Sequence, residues 1–131
     1  MDDVTARAMI KQHFDWAGRD EVRASELYAE DVVLEFPQGG ERIRGRENII
    51  AFRTAYPARL SFEMHRTIGR DDLWVNEYTI RYDDADPHLV VGIMEFADEQ
   101  VVRETIYLTH GWEPPAWRAQ WVEPITPPRT P

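Results

Sequence analysis

The sequence predicts an α+β fold in which helices come first and an antiparallel sheet follows. Three observations predict it. The N-terminal part repeats apolar residues at three- and four-residue spacing, and the region from Leu60 to Thr109 divides into four strand-like runs joined by short polar stretches. Strand and helix never alternate in the way that a parallel sheet requires. With 131 residues, 43% of them hydrophobic and including five Trp, five Tyr and five Phe, the chain can bury one packed core. Residues 1–122 are read as a single domain and 123–131 as a disordered tail.

Each element follows from local chemistry. Asp2 and Asp3 suit a helix start, because carboxylates answer the free N–H groups and the positive end of the dipole there. Ala6, Met9, Ile10, His13, Phe14 and Ala17 then form one apolar stripe, and Gly18 is the stop. A shorter helical piece is predicted through Val22, Ala24, Leu27 and Tyr28. Val32 to Phe36 reads as a strand ended by Pro37 and the Gly39-Gly40 turn, with Arg42-Ile43-Arg44 pairing back. Gly45 introduces a third helix carrying Ile49, Ile50, Phe52, Arg53 and Tyr56, which Pro57 ends. The strand-like runs are Leu60 to Gly69, Leu73 to Asp83, His88 to Phe96 and Val101 to Thr109, joined as hairpins. A last helical turn from Ala116 to Trp121 is expected to fold back over the sheet or a pocket mouth, since Trp112, Trp117 and Trp121 are too apolar to trail in water.

Composition narrows the function. With 24 Asp and Glu against 15 Lys and Arg, the formal charge of −9 repels phosphate backbones and anionic lipid, so neither nucleic acid nor membrane is expected as a partner. There is no cysteine, hence no disulfide, thiol nucleophile or thiolate metal site. The start MDDVTARAMI lacks the basic region and apolar core of a secretion signal, and the apolar run Leu89 to Met94 falls far short of the roughly 20 residues that cross a bilayer. A cytoplasmic location is expected. The histidines at 13, 65, 88 and 110 lack ligand spacing, so no metal is expected and no cofactor is invoked. His65 is expected on the outward strand face, and His88 and His110 in loops.

The stretches ELYAEDV (26–32), Phe36-Pro37, IRGRENIIAF (43–52) and VNEY (75–78), in this order of elements, resemble the nuclear transport factor 2-like superfamily and its SnoaL-like branch, related to polyketide cyclases and ketosteroid isomerases. The resemblance implies a cystatin-like cone, with the sheet wrapped around the first helix and enclosing a pocket, and a homodimer formed through the outer sheet face. Its register implies that Val75, Glu77, Thr79 and Arg81 face the pocket, as do Val90, Gly92, Met94 and Phe96, and Val102, Glu104, Ile106 and Leu108. Trp74, Tyr78, Ile80, Tyr82 and Tyr107 would then lie outside. Ketosteroid isomerase chemistry itself does not carry over. Phe36, Met94 and Gln12 stand where that family has its base, its acid and its tyrosine, and neither Phe nor Met has a transferable proton.

On this register Glu77 and Glu104 are the candidate catalytic pair: two carboxylates in one poorly hydrated space raise at least one pKa toward neutrality. His13 is a candidate base on the helical wall. Arg81 or His13 would orient a substrate, and Trp16, Phe36, Phe52, Phe62, Val75, Thr79, Met94, Ile106 and Trp117 would join Arg81 around a small apolar organic ligand. The alternative is that Glu77–Arg81 and Glu104–Arg103 are ion pairs at the rim. Two functions follow: a cofactor-independent cyclase, isomerase, dehydratase or hydrolase, or a ligand-binding or dimeric association module without chemistry.

Overall fold

The computed structural model describes residues 1–125; residues 126–131, most of the expected disordered tail, lie outside the described residues. Helix α1 (Asp3–Trp16) starts where the Asp2 carboxylate accepts from the Thr5 N–H at 2.8 Å, and it buries Ala6, Ile10 and His13 on one face. Gly18, at φ +79°, turns the chain so closely past Leu60 that an added Cβ would lie 2.7 Å from the Leu60 carbonyl oxygen. Helix α2 (Glu21–Ala24) is capped by Asp20 and is shorter than its sequence suggests. Leu27 and Tyr28, predicted as helical, leave it, because Tyr28 opens β1 (Tyr28–Phe36) and pairs with Val101. A 3₁₀ turn at Pro37–Gly39 leads to β2 (Glu41–Arg44), and α3 (Arg46–Ala55) buries Ile49.

Strands β3 (Leu60–Arg70), β4 (Leu73–Tyr82), β5 (Pro87–Ala97) and β6 (Gln100–His110) complete a curved six-stranded sheet of order β2-β1-β6-β5-β4-β3. The hairpins are as predicted, with one correction to the expected antiparallel sheet: β1 runs parallel to β6, placing Leu34 opposite Glu104. The sheet packs its inner face on the helices in a core that includes Ile10, Tyr28, Leu34, Ile49, Trp74 and Met94.

Cross-strand partners share a face, so one continuous inner face runs through Trp74, Met94 and Glu104, then Asn76, Gly92 and Ile106, then Tyr78, Val90 and Leu108. This corrects the register expected for β4. Trp74 and Tyr78 point inward and are 0% and 4% exposed, with Ile80 and Tyr82 on the same face, while Val75, Glu77, Thr79 and Arg81 point outward. The physical reason is parity: β4 and β5 pair even with even, so the two strands cannot send odd residues of one and even residues of the other to the same side. A register shift between Glu95 and Phe96 likewise turns Val101, not Val102, into the core.

The outward position of His65 agrees with expectation. A bulge between Met64 and Arg66 sets its Nε2 2.7 Å from the Thr79 hydroxyl. His88 and His110 are not in loops; they face each other across β5 and β6, rings 3.9 Å apart. The turn at Ala116–Trp121 forms, but Trp117 is 74% exposed and does not line the interior cavity. Trp16 lies against Arg19 and Arg23 and is absent from the interior cavity. No helix among the described residues is long and apolar enough to cross a membrane.

Candidate functional site

Between α1, α3 and the inner sheet face lies a cavity of about 110 Å³. Its walls are aromatic for a local reason: α1 contributes Phe14, α3 contributes Phe52 and Tyr56, and the inward positions of β1, β3 and β4 contribute Phe36, Phe62, Tyr78 and Tyr82. Phe14 packs on Tyr78 at 4.8 Å, Phe36 on Phe52 at 6.1 Å and Tyr56 on Tyr82 at 5.3 Å, centroid to centroid. Ile106 and Leu108 add aliphatic surface, and Glu21 lies on the wall.

Polar groups converge at the inner end. Glu104, 1% exposed, accepts from the Tyr28 hydroxyl through Oε1. Arg53 Nη1 donates to the same hydroxyl at 2.8 Å, and Nη2 stands 3.6 Å from Glu104 Oε1. An atom built as Cβ on Gly92 would be 3.5 Å from the Tyr78 hydroxyl and 3.6 Å from Glu104 Oε2, so both groups reach over a position without a side chain. His13 completes the set: its Nδ1 lies 2.6 Å from the Ala24 carbonyl oxygen. A carbonyl oxygen only accepts, so Nδ1 carries the proton and the lone pair of the neutral ring is on Nε2.

Electrostatics follow from burial. Burial pushes the His13 pKa below its ordinary 6.5, with Glu104 opposing the shift and Arg53 adding to it. Burial also raises the Tyr28 and Tyr78 hydroxyls well above 10, keeping both protonated. Although burial works against the charge on Arg53, Tyr28 and Glu104 beside it hold the guanidinium more firmly charged than usual. The cavity end therefore offers an unprotonated imidazole nitrogen, a permanent cation and the Tyr78 phenol within one shielded space.

Of the residues expected from sequence, His13, Phe36, Phe52, Phe62 and Ile106 line this cavity, and Glu104 stands behind Arg53 with Met94 buried next to it in the strand pairing. Glu77, Val75, Thr79 and Arg81 do not join them. Glu77 accepts from Arg66 Nε at 3.1 Å on the outer face, and Arg81 stands 3.6 Å from Glu63, so Glu77 and Glu104 share no enclosed space. Nor does Arg103 pair with Glu104; it joins Glu35 and Glu95.

The outer face carries a larger concavity of about 780 Å³, lined by residues such as His65, Glu77, Thr79, Leu89 and Tyr107. Its carboxylates Glu63 and Glu77 are in half-exposed ion pairs with arginines, which solvent screens. The smaller interior cavity is the better chemical site, because its ionisable groups are shielded from water.

Tyr28, Tyr78 and Arg53 were not singled out as functional by sequence reasoning. A signal existed for Arg53: it lies four residues after Ile49 in α3, and that spacing puts both on the buried face.

The SnoaL-like domain family matches this chain over residues 6–104. Among solved structures, a nuclear transport factor 2-like protein of unknown function from Burkholderia xenovorans LB400 is 38% identical over 94% of this chain and 97% of its own, with a TM-score of 0.85. A candidate ketosteroid isomerase from Kribbella flavida DSM 17836 is 28% identical over 98% of this chain and 95% of its own, with a TM-score of 0.86. An LEH-like epoxide hydrolase of M. tuberculosis, 20% identical over 81% of this chain and 84% of its own at a TM-score of 0.67, shares the fold. No curated protein matches the chain.

Proposed function

The chain belongs to the SnoaL-like domain family, and from that premise we propose that its interior cavity binds a small, largely apolar organic molecule and moves a proton on it without a cofactor. The observation that carries this reading is His13: neutral, held by Nδ1–H on the Ala24 carbonyl, and lining the same cavity as the charged Arg53. In such a site His13 Nε2 takes a proton from the carbon next to a carbonyl group. Arg53 and the Tyr78 hydroxyl donate hydrogen bonds to the substrate oxygen, where the electron pair collects. His13 then returns the proton to the enolate, at the same or the conjugated carbon. Tyr28 and Glu104 position Arg53 and touch no reacting atom.

The Kribbella flavida relative, a candidate ketosteroid isomerase, supports the same class of reaction. The cavity does not support a steroid as substrate, since about 110 Å³ is far below the roughly 300–1,000 Å³ of ordinary drug-sized sites. A second copy of the chain is the proposed partner on the outer face, where the exposed apolar residues Leu89, Val91 and Tyr107 flank the Glu63–Arg81 and Glu77–Arg66 pairs. A surface holding both charge signs can meet its own two-fold copy.

The test is exchange of the methyl-ketone protons of methyl tert-butyl ketone for solvent deuterium, followed by proton NMR. The protein is expected to speed this exchange above the buffer rate, and His13→Gln to lower the acceleration by about a hundredfold or more. Binding without any acceleration would reduce the protein to a ligand-binding module.

A further inference from the structure

Charged groups of both signs stand around the interior cavity. Arg53 is the cation on its wall among the described residues, and its charge is already answered by Glu104 at 3.6 Å. Glu21 lies on the same wall, its Oε1 accepting from the Gly18 N–H at 2.7 Å. The site thus sets two carboxylates against one guanidinium, with His13 neutral. A ligand carboxylate would be a further anion, stripped of water among aromatic rings and without a cation to itself.

The hydrogen-bonding groups call for an acceptor instead. Arg53 carries five N–H donors, of which Tyr28 and Glu104 engage Nη1 and Nη2. The aromatic walls alone would suit an organic cation, but the guanidinium at the end of the cavity repels one.

We propose, building on the reading of this cavity as a small-molecule site, that its ligand is an uncharged compound with one acceptor oxygen directed at Arg53, and that carboxylates and ammonium ions of the same size are rejected.

Three probes of similar bulk test this at pH near 7.5: methyl tert-butyl ketone, trimethylacetate and tetramethylammonium. Binding is read from the amide signal of Gly92 and the guanidinium signals of Arg53. The ketone is expected to bind at least about tenfold more tightly than either ion, and Glu104→Gln to narrow the gap by strengthening trimethylacetate. If trimethylacetate or tetramethylammonium binds the wild-type protein as well as the ketone does, the charge argument is wrong while the cavity remains a ligand site. If none of the three moves these signals, the small-molecule reading fails and the proposal with it. The wild-type comparison decides the matter even if Glu104→Gln does not fold.

Discussion

Tyr28 donates its hydroxyl to Glu104 across 76 positions of sequence. The contact exists because β1 runs parallel to β6, bringing Tyr28 to Val101 and Leu34 to Glu104. Arg53 closes the group from α3, so one buried ion pair and one phenol tie helix, first strand and last strand together.

Removing the phenolic oxygen alone leaves both neighbours short of a partner. Tyr28→Phe is expected to cost about 1–3 kcal/mol in urea unfolding. Arg53→Met or Glu104→Met alone strands a buried charge and is expected to cost about 3–5 kcal/mol, whereas the double replacement should cost clearly less than the two together. A double-mutant cycle measures the difference, and additive losses would show that the pair is not coupled.

His13 predicts a pH dependence of stability. Unfolded, it takes up a proton near 6.5; folded, its pKa lies lower. Above about pH 6.5 neither state binds the proton and the group adds no slope. Below it the unfolded chain is favoured, so stability falls as pH drops through about 6.5 toward the folded value. His13→Gln should remove this component, seen as a wild-type-minus-variant difference in denaturation midpoint that declines between about pH 7 and pH 5. A difference that is flat over this window would mean that His13 titrates alike in both states.

Two glycines separate conformational strain from steric clash. Gly18 has φ +79° and backbone oxygen 2.7 Å from any added Cβ, while Gly40 has φ +64° and open space around it. Gly40→Ala should cost about 1 kcal/mol and Gly18→Ala distinctly more, about 2–3 kcal/mol, in thermal or chemical unfolding.

The outer face makes a prediction independent of the cavity. Sedimentation should give twice the 15.4 kDa chain mass, and Leu89→Glu with Tyr107→Glu should return the monomer. Both side chains are about half exposed on the face opposite the core, so the fold and ketone binding should survive.

Much of the architecture was legible in the chain. Asp2 and Gly18 marked α1, Gly45 and Pro57 bracketed α3, and the polar separators marked the hairpins. The inward positions of His13 and Phe52 on their helices, and of Glu104 and Ile106 on β6, were legible as well, because helix spacing and the β6 register set them. The orientation of β4 was not legible. Large apolar side chains occur on both of its faces, so its pattern lacks the contrast that fixes a face, and pairing with β5 decides it instead. That error carried Glu77, Thr79 and Arg81 into the pocket and Tyr78 out of it. Tyr28 was hidden differently: it follows a helical stretch closely, and only its pairing with β6, far along the chain, makes it strand.

On this reading a small neutral carbonyl compound is held inside the cone between His13 and Arg53. A crystal structure of the protein with methyl tert-butyl ketone bound tests it most directly. The ketone oxygen should lie within hydrogen-bond distance of Arg53, with the methyl group next to the carbonyl facing His13 Nε2. A ketone seated on the outer face beside His65 and Glu77, with none between His13 and Arg53, would contradict the claim.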